Sequence, residues 1–319
     1  MTLWNRIAEG LENPIVVKEG VSRMRTWRAP VVATLYLSLV GAVGFAFLEI
    51  AAATNDFARG SGSAAIVGSA SFAAMAFFQL GLVSLFAPAL AAGSISGERE
   101  RQTLDVLLVS RVSAFGIVWG KLVASLAYML LLILTALPLF AAVFLFGGID
   151  FEQFVLSQVI TISTAICLGA IALFFSALFK RSLPATVASY AAGFALMVGT
   201  AVVSAIVNLT QTFVARSDGA SSQFAAEWYT NPFFALWSAL FNPSSRTTVR
   251  GWVHLLVSGP PQNGSLPIGG PSLEPWQVTV ALELVIAVAC TVAAVQLVRG
   301  RRAGFRPRRR PAIPTVEAG

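Results

Sequence analysis

Charged residues are scarce in this chain, and the few present are unevenly placed. Only 12% of the 319 residues are Asp, Glu, Lys or Arg, whereas soluble globular proteins carry about 25%. Long blocks contain almost no charge, and 56% of all residues are hydrophobic. This composition excludes an ordinary soluble domain and indicates an integral membrane protein that crosses the bilayer several times as α-helices.

Residues that commonly perform catalysis or bind metals are also rare. His254 is the only histidine, and because no Cys or carboxylate cluster lies nearby, we interpret it as a solvated or interfacial side chain. Cys167 and Cys290 lie inside apolar stretches, which favours buried thiols over a disulfide. Since no metal-ligand spacing occurs either, the sequence predicts no catalytic residue and no metal site, and we expect this chain not to be an enzyme.

A nucleotide-binding loop is missing as well. The nearest approach to one is the stretch 116–122, where the spacing between the glycines is short by one and no Ser or Thr follows Lys121. We therefore expect no cofactor in this chain. A cleavable signal peptide is also not evident, because residues 1–29 are polar and charged. Their spacing of apolar residues predicts a cytoplasmic amphipathic helix on the membrane surface.

Six apolar stretches are long enough to span the hydrocarbon core, which takes about 20 helical residues. They are residues 30–53, 64–92, 122–147, 154–179, 183–208 and 278–298. Pro138 predicts a kink in the third. The sequence thus predicts an all-α membrane domain over 30–298 with a long external loop at 209–277, preceded by the amphipathic segment 1–29 and followed by a basic tail at 299–319. Within the long loop, the apolar stretch 231–241 is too short to span, so it lies in the interface or forms a re-entrant helix.

The basic residues predict the orientation of these spans. If both termini are cytoplasmic, the cytoplasmic segments hold 18 of the 22 Lys and Arg residues, which is the usual bias. We therefore expect a multi-pass protein of the plasma membrane with both termini inside. The net charge of +7 then reflects contact with anionic lipid headgroups, and nucleic acid is not expected as a partner.

Three polar residues fall within the predicted spans: Glu49, Gln79 and Glu283. Intramembrane carboxylates are functional candidates by default, and Gln79 is a polar residue in the middle of the second span, so all three are candidates for a translocation path. However, Glu49 and Glu283 lie four or five residues from the predicted external ends, which is a depth of only ~6–8 Å. Contact with the interface or with a neighbouring Ser is therefore the favoured interpretation.

The cytoplasmic loop at 94–121 carries the most specific pattern. A charged cluster, 98–101, is followed by Leu104, Leu107 and Leu108 at helical spacing. Ser113 is placed to cap the third span, and Lys121 is expected to snorkel at the membrane entrance. A short amphipathic helix needs a cover, which is either the membrane surface or a protein. Leucines beside charges favour a protein groove, with the apolar side as anchor and the charges setting the register.

The run Gly97-Glu-Arg-Glu-Arg-Gln-Thr-Leu-Asp-Val-Leu-Leu-Val-Ser, followed by Gly120-Lys121, resembles the loop of type 2 ABC transporter permeases. That loop has roughly the pattern Glu-(Arg/Lys)-Glu-x-Gly-Thr-Leu-(Glu/Asp)-x-Leu-Leu, then Thr-Pro, then Gly-Lys. Two positions depart from it, since Gln102 replaces a frequent Gly and Arg111 a frequent Pro. The N-terminal stretch 13–19 is also similar to the start of such permeases.

The resemblance implies a membrane subunit that couples ATP hydrolysis on a separate ATPase subunit to movement of a substrate, usually its export. Two ATPase copies would carry the ATP and Mg, and a second permease copy or a paralogue would complete the complex. The residues implied in contacting the ATPase are Glu98, Arg99, Glu100, Thr103, Leu104, Asp105, Leu107 and Leu108, with a connecting helix at 16–28 beside them.

Two other functions remain open on the sequence. One is a membrane scaffold or regulatory subunit whose loop binds another cytoplasmic partner without transport. The other is a secondary transporter driven by an ion gradient, against which no paired inverted repeat and no mid-membrane acidic pair is visible.

Overall fold

The computed structural model describes residues 27–53, 61–103, 113–206, 209–210, 230–241 and 274–304. These residues form helices and connecting turns, with no strand among them. The helices are α1 (Arg28–Ala53), α2 (Ser61–Ala91), α3 (Ser96–Glu100), α4 (Ala114–Phe144), α5 (Phe151–Leu178), α6 (Ser182–Phe194), α7 (Pro232–Phe241) and α8 (Pro275–Gly304). Helix α6 continues through a π-helical turn at Ala195–Gly199 and on to Ile206.

Six of these helices, namely α1, α2, α4, α5, α6 and α8, are long and apolar enough to cross a membrane. The predicted all-α class with six spans is therefore confirmed. The predicted amphipathic helix at 1–29 is not tested, because residues 1–26 lie outside the described part of the chain. His254 also lies outside it. Cys167 and Cys290 are free thiols, as predicted.

Helix α4 begins earlier than predicted, at Ala114 rather than at residue 122. Ser113 is its N-cap, and the Ser113 side chain accepts a hydrogen bond from the Gly116 N–H at 3.0 Å. This confirms the predicted cap, because the hydroxyl satisfies a backbone donor of the first turn that has no partner within the helix. The added turns place Lys121 well inside the helix.

Helix α5 lies at the centre of the bundle and is the most buried span. It packs against α8, α2, α6, α7 and α4. Small residues along α5 allow this close approach. At Gly169, for example, a β-carbon would already touch the side chain of Leu126, at 3.4 Å. In contrast, α1 and α6 leave large apolar side chains exposed, including Phe45 and Leu183, as expected for surfaces that face lipid.

The two ends of α5 define two regions of the molecule. The last turn of α5 lies beside α3, and we call this the α3 end. The first turn lies beside α7 and the α4–α5 turn, and we call this the α7 end. The α4–α5 turn packs directly on α2, and a β-carbon at Gly148 would clash with the backbone oxygen of Ala65. Gly148 also has a φ of +81°, which glycine adopts without strain.

At the α7 end, the ten-residue helix α7 is too short to span and packs against α5, α8 and α2. Its side chains Ala235, Leu236 and Ala239 are fully buried. The predicted apolar stretch 231–241 is thus a helix that lies against the bundle. Its two ends are held by amide side chains, Asn231 at the start and Gln153 of α5 at the other.

Candidate functional site

Helix α3 is the short helix that the chain forms between α2 and α4, and its start is held by α5. The backbone N–H groups of Ile95 and Ser96 both donate to the Ser176 hydroxyl, at 2.9 and 3.0 Å. Ile95 and Ser96 are completely buried. A side chain of α5 therefore satisfies backbone donors that the start of a helix leaves without intrahelical partners.

Glu98 forms an ion pair with Lys121 of α4, with an oxygen-to-nitrogen distance of 2.8 Å. Lys121 is only 1% exposed, so the prediction that it snorkels at the membrane entrance is wrong. The reason is that α4 begins earlier than predicted, so Lys121 lies within the helix and is buried in the bundle. A buried ammonium needs a charged partner, and Glu98 provides one.

Arg99 contacts the end of α5. Its guanidinium donates to the backbone oxygens of Phe179, at 2.5 Å, and Ala177, at 3.2 Å. These are among the last carbonyls of α5, which have no N–H partner within the helix. The C-terminus of a helix also carries partial negative charge, so a cation is favoured there.

Glu100 contacts the start of α6. One carboxylate oxygen accepts the Ser182 backbone N–H and the other accepts the Ser182 hydroxyl, both at 2.8 Å. The N-cap residue of α6, Arg181, makes no side-chain cap of its own. Glu100 thus caps α6 from a different helix, and its negative charge matches the partial positive charge of a helix N-terminus.

We call Arg99, Glu100 and their partners Ala177, Phe179 and Ser182 the helix-end bridge. Two adjacent residues of opposite charge bind two adjacent helix ends of opposite polarity. Sequence reasoning missed Ser176 and Ser182. A Ser at the start of a span is a recognisable cap signal, whereas nothing distinguishes Ser176 within its apolar stretch.

A tight turn follows α3. The Thr103 N–H donates to the Glu98 backbone oxygen at 2.9 Å, and Gln102 adopts a φ of +57°. Gln102 stands where similar loops often have Gly, and this left-handed conformation is one that Gly adopts without strain. Of the eight residues predicted to contact an ATPase, Glu98, Arg99, Glu100 and Thr103 thus belong to α3 and its turn. Leu104, Asp105, Leu107 and Leu108 lie outside the described residues.

Comparison with known families identifies the chain. A family model described as "ABC-2 family transporter protein" matches residues 32–293, from the first span to the last. The chain belongs to this family. It is therefore an ABC transporter permease of the type 2 class, as the loop pattern predicted. No curated protein matches the chain in a sequence comparison.

In this ABC-2 permease the predicted intramembrane candidates do not come together. Glu49 is exposed on α1. Gln79 is fully buried and pairs with Gln158 of α5, with amide distances of 3.5 and 3.4 Å. The two amides satisfy each other inside the subunit.

Glu283 of α8 is 1% exposed and accepts hydrogen bonds from the hydroxyls of Ser163 and Thr164 on α5, the latter at 2.8 Å. Because α8 begins at Pro275, Glu283 lies ~12 Å from the helix start, deeper than predicted. The favoured interpretation, contact with a neighbouring Ser, agrees with this geometry. A role of Glu49, Gln79 or Glu283 in a translocation path stays a prediction.

The charged residues of α3 hold helices in place in this ABC-2 permease. In the described part of the chain, no three or more His, Cys, Asp or Glu side chains lie close enough to hold a metal ion. The stretch 116–122 that most resembled a phosphate loop is a helical part of α4. The charged groups of α3 instead contact α4, α5 and α6.

Proposed function

We propose that this permease is the membrane subunit of an ABC exporter, and that a separately encoded ATPase docks on the loop between α2 and α4. Two ATPase copies would bind ATP and Mg and close on each other, and that closure would move the spans of two permease subunits, either identical or paralogous. The observation that carries the proposal is the position of the family's loop motif. Its charged part contacts α4 and the adjoining ends of α5 and α6, so a force on this loop acts on several spans at once.

The leucine stripe supports a protein partner for this loop. Leu104, Leu107 and Leu108 recur at helical spacing directly after α3, and an apolar stripe of this kind needs a groove to cover it. The polar contacts of Glu98, Arg99 and Glu100 fix α3 at the surface of the bundle. The helix that precedes the stripe in the sequence is therefore anchored to the membrane domain.

The distribution of basic residues supports the orientation. With the α3 end in the cytoplasm, both termini are inside and 18 of the 22 Lys and Arg residues are cytoplasmic. In the plasma membrane, this orientation exposes the loop on the side where a cytoplasmic ATPase can bind it.

The docking experiment replaces two leucines of the stripe. We expect Leu104→Asp with Leu107→Asp to abolish co-purification of the partner ATPase, because charges cannot enter an apolar groove without a large desolvation cost. The chain should still insert, since no span is altered. The matched control is Leu255→Asp with Leu256→Asp, two leucines of the predicted external loop.

Unchanged co-purification of the stripe variant would overturn the docking assignment. ATP hydrolysis by the purified wild-type complex supports the transporter. A stable complex whose partner does not hydrolyse ATP would instead favour the scaffold or regulatory subunit.

A further inference from the structure

We propose that the helix-end bridge passes the movement of the docked ATPase to the start of α6, with Arg99 and Glu100 acting as positioning residues. They would act through the α5–α6 turn rather than as the surface that binds the ATPase. This inference rests on the proposed function, and it names the segments of the permease through which the movement passes.

The first argument is the use of the charges. The Arg99 guanidinium donates to two carbonyls at the end of α5, and both oxygens of Glu100 accept from Ser182. Charge-assisted hydrogen bonds of this kind are stronger than neutral ones and fix geometry. Arg99 and Glu100 therefore already form hydrogen bonds within the chain before any partner binds.

The second argument is connectivity. The predicted stripe begins at Leu104, four residues after Glu100, and the turn between them is closed by the bond from the Thr103 N–H to the Glu98 oxygen. A displacement of the stripe is thus applied directly to α3. From α3, the ion pair to Lys121 leads to α4 and the helix-end bridge leads to the junction of α5 and α6.

The third argument distinguishes α6 from the other spans at this junction. Helix α5 is buried at the centre of the bundle, whereas α6 packs on few neighbours and exposes much of its apolar surface. A force on the α5–α6 turn therefore meets less resistance along α6. The first residues of α6 are where movement should be measured.

The test uses the permease–ATPase complex in lipid nanodiscs with Leu183→Cys as a reporter. Leu183 is 74% exposed and follows Ser182 directly. The rate of maleimide labelling is measured with and without ATP and vanadate, which traps the closed ATPase. The chain without the added cysteine gives the background from Cys167 and Cys290.

The informative variant changes the receiving end of the bridge. Ser182→Pro removes the backbone N–H and the hydroxyl that Glu100 accepts, and it leaves every charge of the loop in place. Proline is well tolerated at the first position of a helix, and Arg181 before it is already extended, with φ −117° and ψ 147°. Ser182→Ala is the matched control, because it keeps the backbone N–H.

We expect nucleotide to change the labelling rate in the reporter chain and in the Ser182→Ala control. In Ser182→Pro we expect the nucleotide-dependent change in the labelling rate to be about fivefold smaller. Co-purification of the ATPase should be unchanged. Glu100→Ala should behave like Ser182→Pro, and the isosteric Glu100→Gln should largely restore the response because its amide can still pair with Ser182.

Three results would overturn the inference. The first is an unchanged nucleotide response in Ser182→Pro. The second is no response at Leu183→Cys in an unaltered complex that hydrolyses ATP, which leaves the proposed function standing. The third is loss of ATPase binding in both Glu100→Ala and Glu100→Gln, which would make Glu100 a direct contact. If no ATPase binds the unaltered permease, the proposed function itself fails.

Discussion

The two ends of α5 solve the same structural problem with different chemistry. At the α3 end, helix termini are satisfied by charged side chains from another helix, Arg99 and Glu100. At the α7 end, neutral amides do this work. Asn231 donates to the Met197 oxygen of the π-helical turn at 2.6 Å, and Gln153 donates to the Leu240 oxygen at 2.6 Å.

The difference shows that neutral amides suit a buried place and charged side chains suit a solvent-exposed one. A π-helical turn breaks the regular backbone hydrogen-bond pattern, and the Asn231 amide meets one of its carbonyls in a buried place where a charge would be costly. At the α3 end Glu100 is solvent-exposed, so charges are tolerated and match the helix dipoles. Charge is therefore concentrated at the end where we propose that a partner exerts force.

The largest effect should come from removing the carboxylate that pairs with the buried Lys121 at the α3 end. Glu98→Gln leaves the Lys121 ammonium buried without its carboxylate, and we expect the free energy of unfolding to fall by about 3 kcal/mol. Unfolding in detergent, followed by circular dichroism, measures this. The double variant Glu98→Gln with Lys121→Met should recover most of the loss, because the buried ammonium is removed as well. A single variant as stable as wild type would contradict the buried ion pair.

A smaller effect is expected at the α7 end, where no charge is involved. Asn231→Ala removes a donor to the Met197 oxygen and an acceptor of the Phe233 N–H. We expect a loss of about 2 kcal/mol in the same unfolding measurement, because two backbone groups lose their partner. Asn231→Ser is the control, since its uncharged hydroxyl can still accept the Phe233 N–H as an N-cap while the amide donor is lost. Equal stability of all three chains would show that these contacts contribute little.

The smallest effect is expected at the α3 end, where one substitution should increase the stability. It would add to the difference in stabilising contacts between the two ends. Gln102→Gly relieves the left-handed backbone conformation, and we expect a gain of about 0.5 kcal/mol after the entropic cost of glycine is included. Gln102→Ala is the comparison, because it keeps the β-carbon and should give no gain. A destabilising Gln102→Gly would mean that the Gln102 side chain itself contributes to the turn.

Much of this architecture was predictable from local sequence. The six spans follow from their length and apolar composition, and the cap at Ser113 follows from its position before a helical stretch. The loop motif predicted the family. The boundaries were less accurate, as α4 shows, because its first turns at 114–121 include Gly116, Gly120 and Lys121 and so do not resemble membrane sequence. The consequence was the wrong prediction for Lys121.

The partners of the charged loop on α5 and α6 could not be predicted, since they lie about 80 residues away along the chain. Ser176 and Ser182 meet α3 only because α5 and α6 end beside it. Likewise, Glu283 finds Ser163 and Thr164 because α8 packs on the small residues of α5.

The sequence by itself determined that this protein spans the membrane six times and carries a permease loop, because the cost of placing polar residues in a bilayer acts residue by residue. Only the tertiary structure decided what the charges of that loop contact. Helix ends expose backbone donors and acceptors whose positions depend on how the spans pack, so the match between Arg99, Glu100 and the α5–α6 junction exists only in the folded bundle.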